Sequence, residues 1–202
     1  YQYSPDLDKN VWINLCGDIC GITAKVNFEN GSHWASAGLN RGIIKNVVKL
    51  ANSFSLTNRD DLYKNQINPI VTFPNQGSVV WGNKTSQTKA SSFDRVNTRR
   101  LFNEMERALA KMSKYQLFEF NDAFTRNYIS SIIKPYLAGK KAARALTDFL
   151  VICDETNNTP SVVANNQLII DIYIKPVYVA EWIILHFVNV GTNDFSIAIS
   201  KG

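Results

Sequence analysis

Two histidines, three cysteines and two adjacent carboxylate pairs are the side chains of this sequence best suited to chemistry. His33 and His186 lie far apart, and neither has a cysteine or carboxylate beside it at the spacing of a zinc site. The cysteines, at positions 16, 20 and 153, are odd in number, so a disulfide framework is not indicated. The sequence therefore predicts no metal centre and three buried free thiols in a reducing cytoplasm.

Motifs for nucleotide or acyl-transfer chemistry are missing from the sequence. A phosphate loop needs two glycines at fixed spacing and then Lys with Ser or Thr, which the GKK run at 139–141 does not provide. No Gly-x-Ser-x-Gly elbow occurs. The carboxylate pairs at 60–61 and at Asp154-Glu155 would need a cleft to act together. We therefore expect a non-enzymatic protein without cofactors, with a hydrolase using Asp154 or Glu155 as an alternative.

Positive charge is concentrated at Lys140, Lys141 and Arg144. Such a cluster is typical either of a solvated helix face or of a contact with an acidic partner surface. Arg99 and Arg100 form a second basic pair, but two glutamates follow closely on the same predicted helix, which favours ion pairs within or between chains. With 22 Lys+Arg against 17 Asp+Glu, the net charge of +5 is too small to indicate nucleic-acid binding.

The composition is that of a folded protein with one substantial core, or a core and a smaller lobe. The chain has 202 residues, of which 45% are hydrophobic and 19% charged. No run approaches the ~20 apolar residues that cross a bilayer. The sequence starts at Tyr1 without Met or a basic and apolar leader, so we expect a processed product or a piece of a longer chain.

Four helices and several strands are expected to position these residues. Helical spacing of apolar residues or capping signals predict helices from about residue 11 to 27, from residue 57, over 96–114, and after the Asn121-Asp122 cap, with a kink at Pro135 and an end or loosening at Gly139. Residues 34–42 read as an extended loop. Apolar runs or alternation predict strands at 43–50, 70–73, 78–81, 149–153, 168–175 and 181–190, the last of these central or covered on both faces. The fold class is α+β, with a mixed β-sheet packed against helices and an extended C-terminal arm.

Several long motifs occur together and in order. They read INPI at 67–70, VVWGNKT at 79–85, FDRVNTRRLF at 93–102, KYQLFEFNDAFTR at 114–126, CDETNNTP at 153–160 and DIYIKPVYVAEWIILHFV at 171–188. Together they closely resemble the contractile-tail sheath family of tailed bacteriophages, over roughly residues 60–190. The residues of the basic and asparagine-rich motifs are Arg99, Arg100, Asp154, Glu155, Asn157, Asn158 and Pro160.

The resemblance implies a structural subunit that works by polymerising. Sheath subunits form stacked hexameric rings around a tail tube and contract to drive the tube through the host envelope. The implied partners are further copies, the tube protein, and the baseplate and tail terminator proteins, with no nucleic acid and no membrane. The implied location is the virion, after assembly in the host cytoplasm. The implied division is the end of a preceding domain and an approach segment at 1–56, a conserved inner domain at 57–190, and a C-terminal arm at 191–202.

The resemblance also implies roles for two groups of residues. The inner domain faces the tube, so Lys140, Lys141 and Arg144 are the candidates for tube contact. Terminal arms add strands to neighbouring subunits, and period-two apolar residues near the C-terminus are what strand addition requires. The strand-exchange candidates are Asp194, Phe195, Ser196, Ile197, Ala198, Ile199 and Ser200, with a frayed polar tail as the alternative. The resemblance further puts the motif at 153–160 in a strand-to-helix turn, with Asn158 or Thr159 capping a helix after Pro160.

Two points stay open at the level of sequence. The sheath of a bacterial contractile injection or secretion apparatus is a second interpretation, although the motifs at 93–102 and 153–160 favour phage sheaths. Whole sheath proteins carry outer domains and an N-terminal arm before the part seen here, so this chain is expected to be a truncated piece. With those contacts missing, we expect it to be monomeric by itself.

Overall fold

The computed structural model describes residues 1–185. Its helices are α1 (Cys16–Glu29), α2 (Gly38–Arg41), α3 (Leu56–Lys64), α4 (Val96–Lys114), α5 (Ala123–Ala142) and α6 (Pro160–Ala164). Its strands are β1 (Gln2–Ser4), β2 (Lys9–Val11), β3 (Ile43–Ile44), β4 (Ile70–Phe73), β5 (Gly77–Val80), β6 (Leu146–Ile152) and β7 (Asp171–Pro176). The α+β class is therefore confirmed. Where one mixed sheet was expected, residues 1–185 contain three small antiparallel sheets: β1-β2, β3-β5-β4 and β6-β7.

The predicted hairpin at residues 70–81 is confirmed as β4 and β5. Ile70 pairs with Val80 and Phe73 with Gly77, so residues 74–76 form the turn between the two strands. Asn75 in this turn has a φ of 61°, and Gly77, the first residue of β5, has a φ of 83°. Both residue types adopt this left-handed conformation more easily than others do, which explains why this turn could be predicted from sequence.

The core lies between α4, α5 and the β6-β7 sheet. Leu101 and Met105 of α4 and Ile133 and Leu137 of α5 are almost completely buried. They belong to one apolar cluster that also includes Ile129, Ala145, Leu146 and Val151. The predicted amphipathic pattern of α4 is confirmed, whereas the buried face of α5 lies one position beyond the expected residues Phe124, Tyr128, Ile132 and Tyr136, of which Phe124 and Tyr128 are exposed. Burial of these two faces is the main source of the stability of the helices.

Helix α5 begins as predicted but runs further than expected. The carboxylate of Asp122 accepts a hydrogen bond from the Thr125 N–H at 2.8 Å, which is the expected N-terminal cap. The helix then continues through Pro135 and Gly139 to Ala142. Packing of the fully buried Leu137 outweighs the low helix propensity of these two residues.

Two predictions for the first half of the chain were wrong in detail. The strand at 43–50 is reduced to Ile43–Ile44, because Asn46 has a φ of 63° that breaks the extended run. The loop at 34–42 contains the single helical turn α2. Helix α3 is present, but its cap is Ser55, whose Oγ accepts a hydrogen bond from the Asn58 N–H at 3.2 Å.

The strand predicted at 181–190 is absent from the part that the structure describes. Residues 181–185 have no regular secondary structure, and Trp182, Ile183, Ile184 and Leu185 are all 69–84% exposed. Residues 186–190 lie outside the described range. No strand among residues 1–185 pairs with this segment. No helix among the described residues is long and apolar enough to cross a membrane.

Candidate functional site

The three basic residues at the end of α5 have different environments. Lys140 forms an ion pair with Glu104 of α4, and its side chain is mostly buried. Lys141 is more exposed and lies 2.8 Å from the carboxylate of Asp148 in β6. Arg144 is exposed at a φ of 63°, with its guanidinium 6.0 Å from the ring of Trp34. The structure therefore brings the cluster together, but Lys140 is committed to an internal partner.

Glu104 joins this cluster to the first part of the chain. Its carboxylate accepts hydrogen bonds from Lys140 Nζ and from the Ser32 hydroxyl. Beside it, His33 Nε2 lies 3.0 Å from the carbonyl oxygen of Ala143, and the His33 carbonyl accepts a hydrogen bond from the Asn97 amide at 3.0 Å. Burial lowers the pKa of His33. Sequence reasoning missed this junction, because Ser32 and Glu104 are 72 positions apart and no spacing rule connects them.

Glu104 gives a prediction for the pH dependence of stability. Burial raises its pKa, but the hydrogen bonds from Lys140 and Ser32 lower it more, so the folded pKa lies below the ordinary value of 4.5. A carboxylate of this kind stabilises the fold above its unfolded pKa and loses that contribution as the pH falls through its folded pKa. Urea unfolding between about pH 3 and pH 6 should therefore show a shallower loss of stability for Glu104→Gln than for the parent chain.

Glu106 provides the matched control for this measurement. It lies on the same helix and its ion pair with Arg99 is 3.7 Å long and exposed. Glu106→Gln should follow the parent curve. If Glu104→Gln loses stability on acidification as steeply as the parent chain, the junction does not hold Glu104 ionised.

The two arginines at the start of α4 have separate roles. Arg99 forms the expected ion pair with Glu106. Arg100 instead donates a hydrogen bond from Nη2 to the Thr23 carbonyl of α1 at 3.2 Å, and burial lowers its pKa. The expected ion pair within the chain is thus present for Arg99, whereas the Arg100 guanidinium contacts the Thr23 carbonyl and connects α1 to α4.

The two carboxylates of the acidic motif at 153–160 lie outside the groove between α5 and β6. Asp154 and Glu155 are exposed, and the Thr156 hydroxyl and N–H bind the Asp154 carboxylate, which lowers the pKa of Asp154. A general acid in a hydrolase would need the opposite shift. The open groove of about 440 Å³ lies elsewhere, between α5 and β6, and is lined by Lys134, Pro135, Ala138, Phe149, Leu150 and Val151. Within residues 1–185, no cluster of His, Cys, Asp and Glu is suited to a metal ion.

The asparagines of the same motif tie β6 to β7. The Asn157 amide donates to the Ile152 carbonyl at 2.9 Å and to the Asp171 carboxylate at 3.0 Å. Asn158 exchanges two hydrogen bonds with the backbone of Ile169, at 2.8 and 2.9 Å. The motif is followed by α6, which begins at Pro160, so the strand-to-helix turn is confirmed. The capping prediction is confirmed for position, because Thr159 is the N-cap residue of α6, but the Thr159 side chain makes no capping hydrogen bond and Asn158 is used by Ile169.

The cysteines are free, as predicted, but only one is buried. Cys153 lies just after β6, and burial is the largest cause of its raised pKa. Cys16 and Cys20 are exposed on α1. Buried thiols were therefore the wrong expectation for these two, because the α1 face that carries them has no covering element among the described residues.

Comparison with known proteins identifies the family. A model of the phage tail sheath protein central domain matches residues 2–86, and a model of the phage tail sheath C-terminal domain matches residues 88–189. The second match alone spans half of the 202 residues. The chain belongs to the phage tail sheath family.

Curated sheath proteins and solved sheath structures are similar to this sheath chain. The tail sheath protein of Vibrio phage KVP40 is 44% identical over 97% of this chain and 29% of its own length. The tail sheath protein of Enterobacteria phage T4 is 41% identical over 96% of this chain and 30% of its own length. The chain therefore spans about 30% of the length of these relatives. The anti-feeding prophage helical sheath in the contracted state has a TM-score of 0.79 and 26% identity, covering 85% of this chain and 49% of that chain.

The residues that meet at the Glu104 junction come from the ranges of two different family matches. Ser32 and His33 lie in the part matched by the sheath central domain, whereas Glu104, Lys140 and Ala143 lie in the part matched by the sheath C-terminal domain. The polar contacts at Glu104 and His33 therefore fasten the two sheath domains to each other. Arg100 adds a third fastening, through the carbonyl of Thr23.

This sheath chain also exposes two groups of large apolar side chains. The turn between α4 and α5 and the first turn of α5 carry Tyr115, Leu117, Phe118, Phe120 and Phe124, all exposed. The segment after β7 carries the exposed run 182–185. Large contiguous apolar surface of this kind marks interaction sites on soluble proteins. The strand-exchange candidates at 194–200 lie outside the described residues.

Proposed function

We propose that this chain is the core part of a contractile tail sheath subunit of a tailed bacteriophage. The subunit polymerises helically around the tail tube as stacked hexameric rings and contracts to drive the tube through the host envelope. The observation that carries this proposal is the exposed apolar run 182–185. This run follows a packed sheath domain, and no described strand lies beside it. An extended apolar segment of this kind suits strand addition to a second copy.

The role is structural, without catalysis or a cofactor. The energy of contraction then comes from differences between the subunit contacts of the extended and the contracted sheath, because identical contacts could not favour either state. The proposed partners are other sheath subunits, the tube protein, and the baseplate and tail terminator proteins, in a virion assembled in the host cytoplasm. Nucleic acid and membrane are not proposed partners. The fold similarity to the anti-feeding prophage sheath, which is a helical assembly in its contracted state, supports the polymeric part of this proposal.

Tube contact is proposed for the basic cluster. Lys141 and Arg144 are exposed at the end of α5, so their charges can face an acidic surface. Lys140 and Lys141 already have carboxylate partners in Glu104 and Asp148, but the Lys141 pair is the more exposed and can exchange its partner for an acidic surface more readily. Strand exchange is proposed for residues 194–200, which continue the chain beyond the exposed apolar run.

The sheath of a bacterial contractile injection system is the second candidate. The fold similarity to the anti-feeding prophage sheath supports it. Identity to the tail sheath proteins of the two phages is 41–44%, against 26% for the anti-feeding prophage sheath. The difference in identity favours the phage assignment.

Electron microscopy with negative staining, combined with sedimentation, tests the proposed function. The full-length sheath protein should form long striated tubes, and the 202-residue chain expressed alone should sediment as a monomer. A sheath protein that has its whole N-terminal part but ends at residue 190 is the control for strand exchange, and it should not form tubes. Failure of the full-length protein to polymerise at any salt or protein concentration would contradict the sheath assignment.

A further inference from the structure

Residues 177–185 are exposed except at one side chain. The segment follows Pro176, the last residue of β7, and has no regular secondary structure. Its apolar side chains, including Tyr178 and Trp182, are largely exposed. The side chain of Glu181, by contrast, is only 19% exposed, although it is charged. A charged side chain with so small an exposed fraction, in a segment whose residues are otherwise exposed, indicates a specific contact.

Glu181 is held by a two-point ion pair. Arg95 Nε lies 2.7 Å from Oε1 of Glu181, and Arg95 Nη2 lies 2.9 Å from Oε2. The Tyr63 hydroxyl donates a further hydrogen bond to the same carboxylate. Asp94 lies 2.9 Å from the third nitrogen of Arg95, so all three guanidinium nitrogens have a carboxylate partner. Bidentate arginine–carboxylate pairs are stronger and more directional than single contacts.

The site that receives Glu181 is built entirely by residues 63–95. Lys84 Nζ donates to the Tyr63 carbonyl at 2.9 Å and lies 3.9 Å from the centre of the Tyr63 ring. Lys84 and Arg95 are paired through their backbones in an isolated β-bridge. Burial, followed by the hydrogen bond to Glu181, raises the pKa of Tyr63, so its hydroxyl remains a donor at neutral pH. These contacts hold the Tyr63 side of the site through residues that do not belong to the C-terminal segment.

A second contact lies three residues earlier in the segment. The Tyr178 hydroxyl is 3.0 Å from Oγ of Ser92. Ser92 belongs to the short helical turn Ser92–Asp94 that leads into Arg95. The segment is therefore fastened at two points to one short stretch of chain that lies 86 positions earlier in sequence.

We infer that Arg95, Tyr63 and Ser92 form a latch for Glu181 and Tyr178, which fixes the place and direction in which the C-terminal segment leaves the packed domains. The latch presents the exposed run 182–185 outward instead of letting it fold back on the chain. Its use in strand exchange rests on the proposed function. The latch itself is a property of the single chain and can be tested without polymerisation.

Limited proteolysis with chymotrypsin, followed by mass spectrometry, tests the latch. Cleavage after Tyr178 and Trp182 requires the segment to enter the protease cleft, which the latch opposes. Arg95→Ala and Glu181→Gln should each speed this cleavage, by about tenfold and about threefold respectively, because opening becomes easier as the contact weakens. Cleavage after Phe118 and Phe120, which are exposed and far from the latch in sequence, should keep its rate and serves as the internal control.

Two further variants separate the latch from general destabilisation. Arg99→Ala removes a neighbouring arginine of α4 that does not contact Glu181, and it should leave cleavage at Tyr178 and Trp182 unchanged. Exchanging the charges, with Arg95→Glu and Glu181→Arg together, should restore slow cleavage relative to Arg95→Glu alone. Equal cleavage rates in the parent chain, Arg95→Ala and Glu181→Gln would overturn the inference, whether or not the full-length protein forms tubes.

Discussion

Replacing Leu137 with alanine is expected to lower the free energy of unfolding by about 3–4 kcal/mol. Leu137 is completely buried in α5, where it packs in the cluster formed with α4 and the β6-β7 sheet. The substitution removes apolar contacts and leaves a cavity, and the two costs add because a close-packed core relaxes only in part. Urea unfolding followed by circular dichroism measures the change.

Leu117 provides the matched control for Leu137. It lies in the turn after α4 and is 62% exposed. The same chemical change, Leu117→Ala, should alter the free energy of unfolding by less than about 0.5 kcal/mol. Similar losses for the two variants would mean that the core is not centred on α5.

The core could be predicted from the sequence because its signal is local. The three- and four-residue spacing of Leu101, Met105, Leu109 and Met112 is contained within one helix, and α4 begins and ends at the residues predicted from it. The hairpin of β4 and β5 was predictable for the same reason, since its turn residues stand next to the strands that they join.

The polar junction could not be predicted, because its partners are distant in sequence. Ser32, Glu104 and Lys140 meet only once α4 and α5 have packed and the loop after α1 has come to lie beside them. Each is an ordinary polar residue at its own position, and the relevant separations are 72 and 36 positions. A pattern of residue spacing within one segment cannot indicate a contact between side chains so far apart in sequence.

The C-terminal segment shows a different limit of sequence reasoning. An apolar alternation indicates that a strand will be covered, but it does not say whether the same chain or another one covers it. Glu181 was assigned to the start of a central strand, whereas the structure uses it as the partner of Arg95. The expectation of a central or doubly covered strand is therefore wrong for residues 181–185, which are exposed and have no regular secondary structure.

The asparagine-rich motif carries the second large prediction. Asn158 is 3% exposed, and its side-chain amide pairs with both the N–H and the carbonyl of Ile169, as a neighbouring strand would. This pairing holds the turn after β6 against the chain that enters β7. Asn158→Ala should lower the free energy of unfolding by about 1–3 kcal/mol, because the Ile169 N–H loses its partner and the buried Asn158 side chain is removed, while the Ile169 carbonyl keeps a hydrogen bond from the Asn157 amide at 3.2 Å.

Asn165→Ala is the control for Asn158, and Asn158→Asp is the sharper test. The Asn165 side chain is exposed and makes no hydrogen bond with a described residue, so its removal should change stability by less than about 0.5 kcal/mol. An aspartate at 158 can still accept from the Ile169 N–H, but its second oxygen would face the Ile169 carbonyl. We therefore expect Asn158→Asp to be at least as destabilising as Asn158→Ala in urea unfolding at neutral pH, since repulsion between two acceptors replaces a hydrogen bond. A stability of Asn158→Asp close to that of the parent chain would show that the amide donor contributes little and that the turn is held by Asn157 instead.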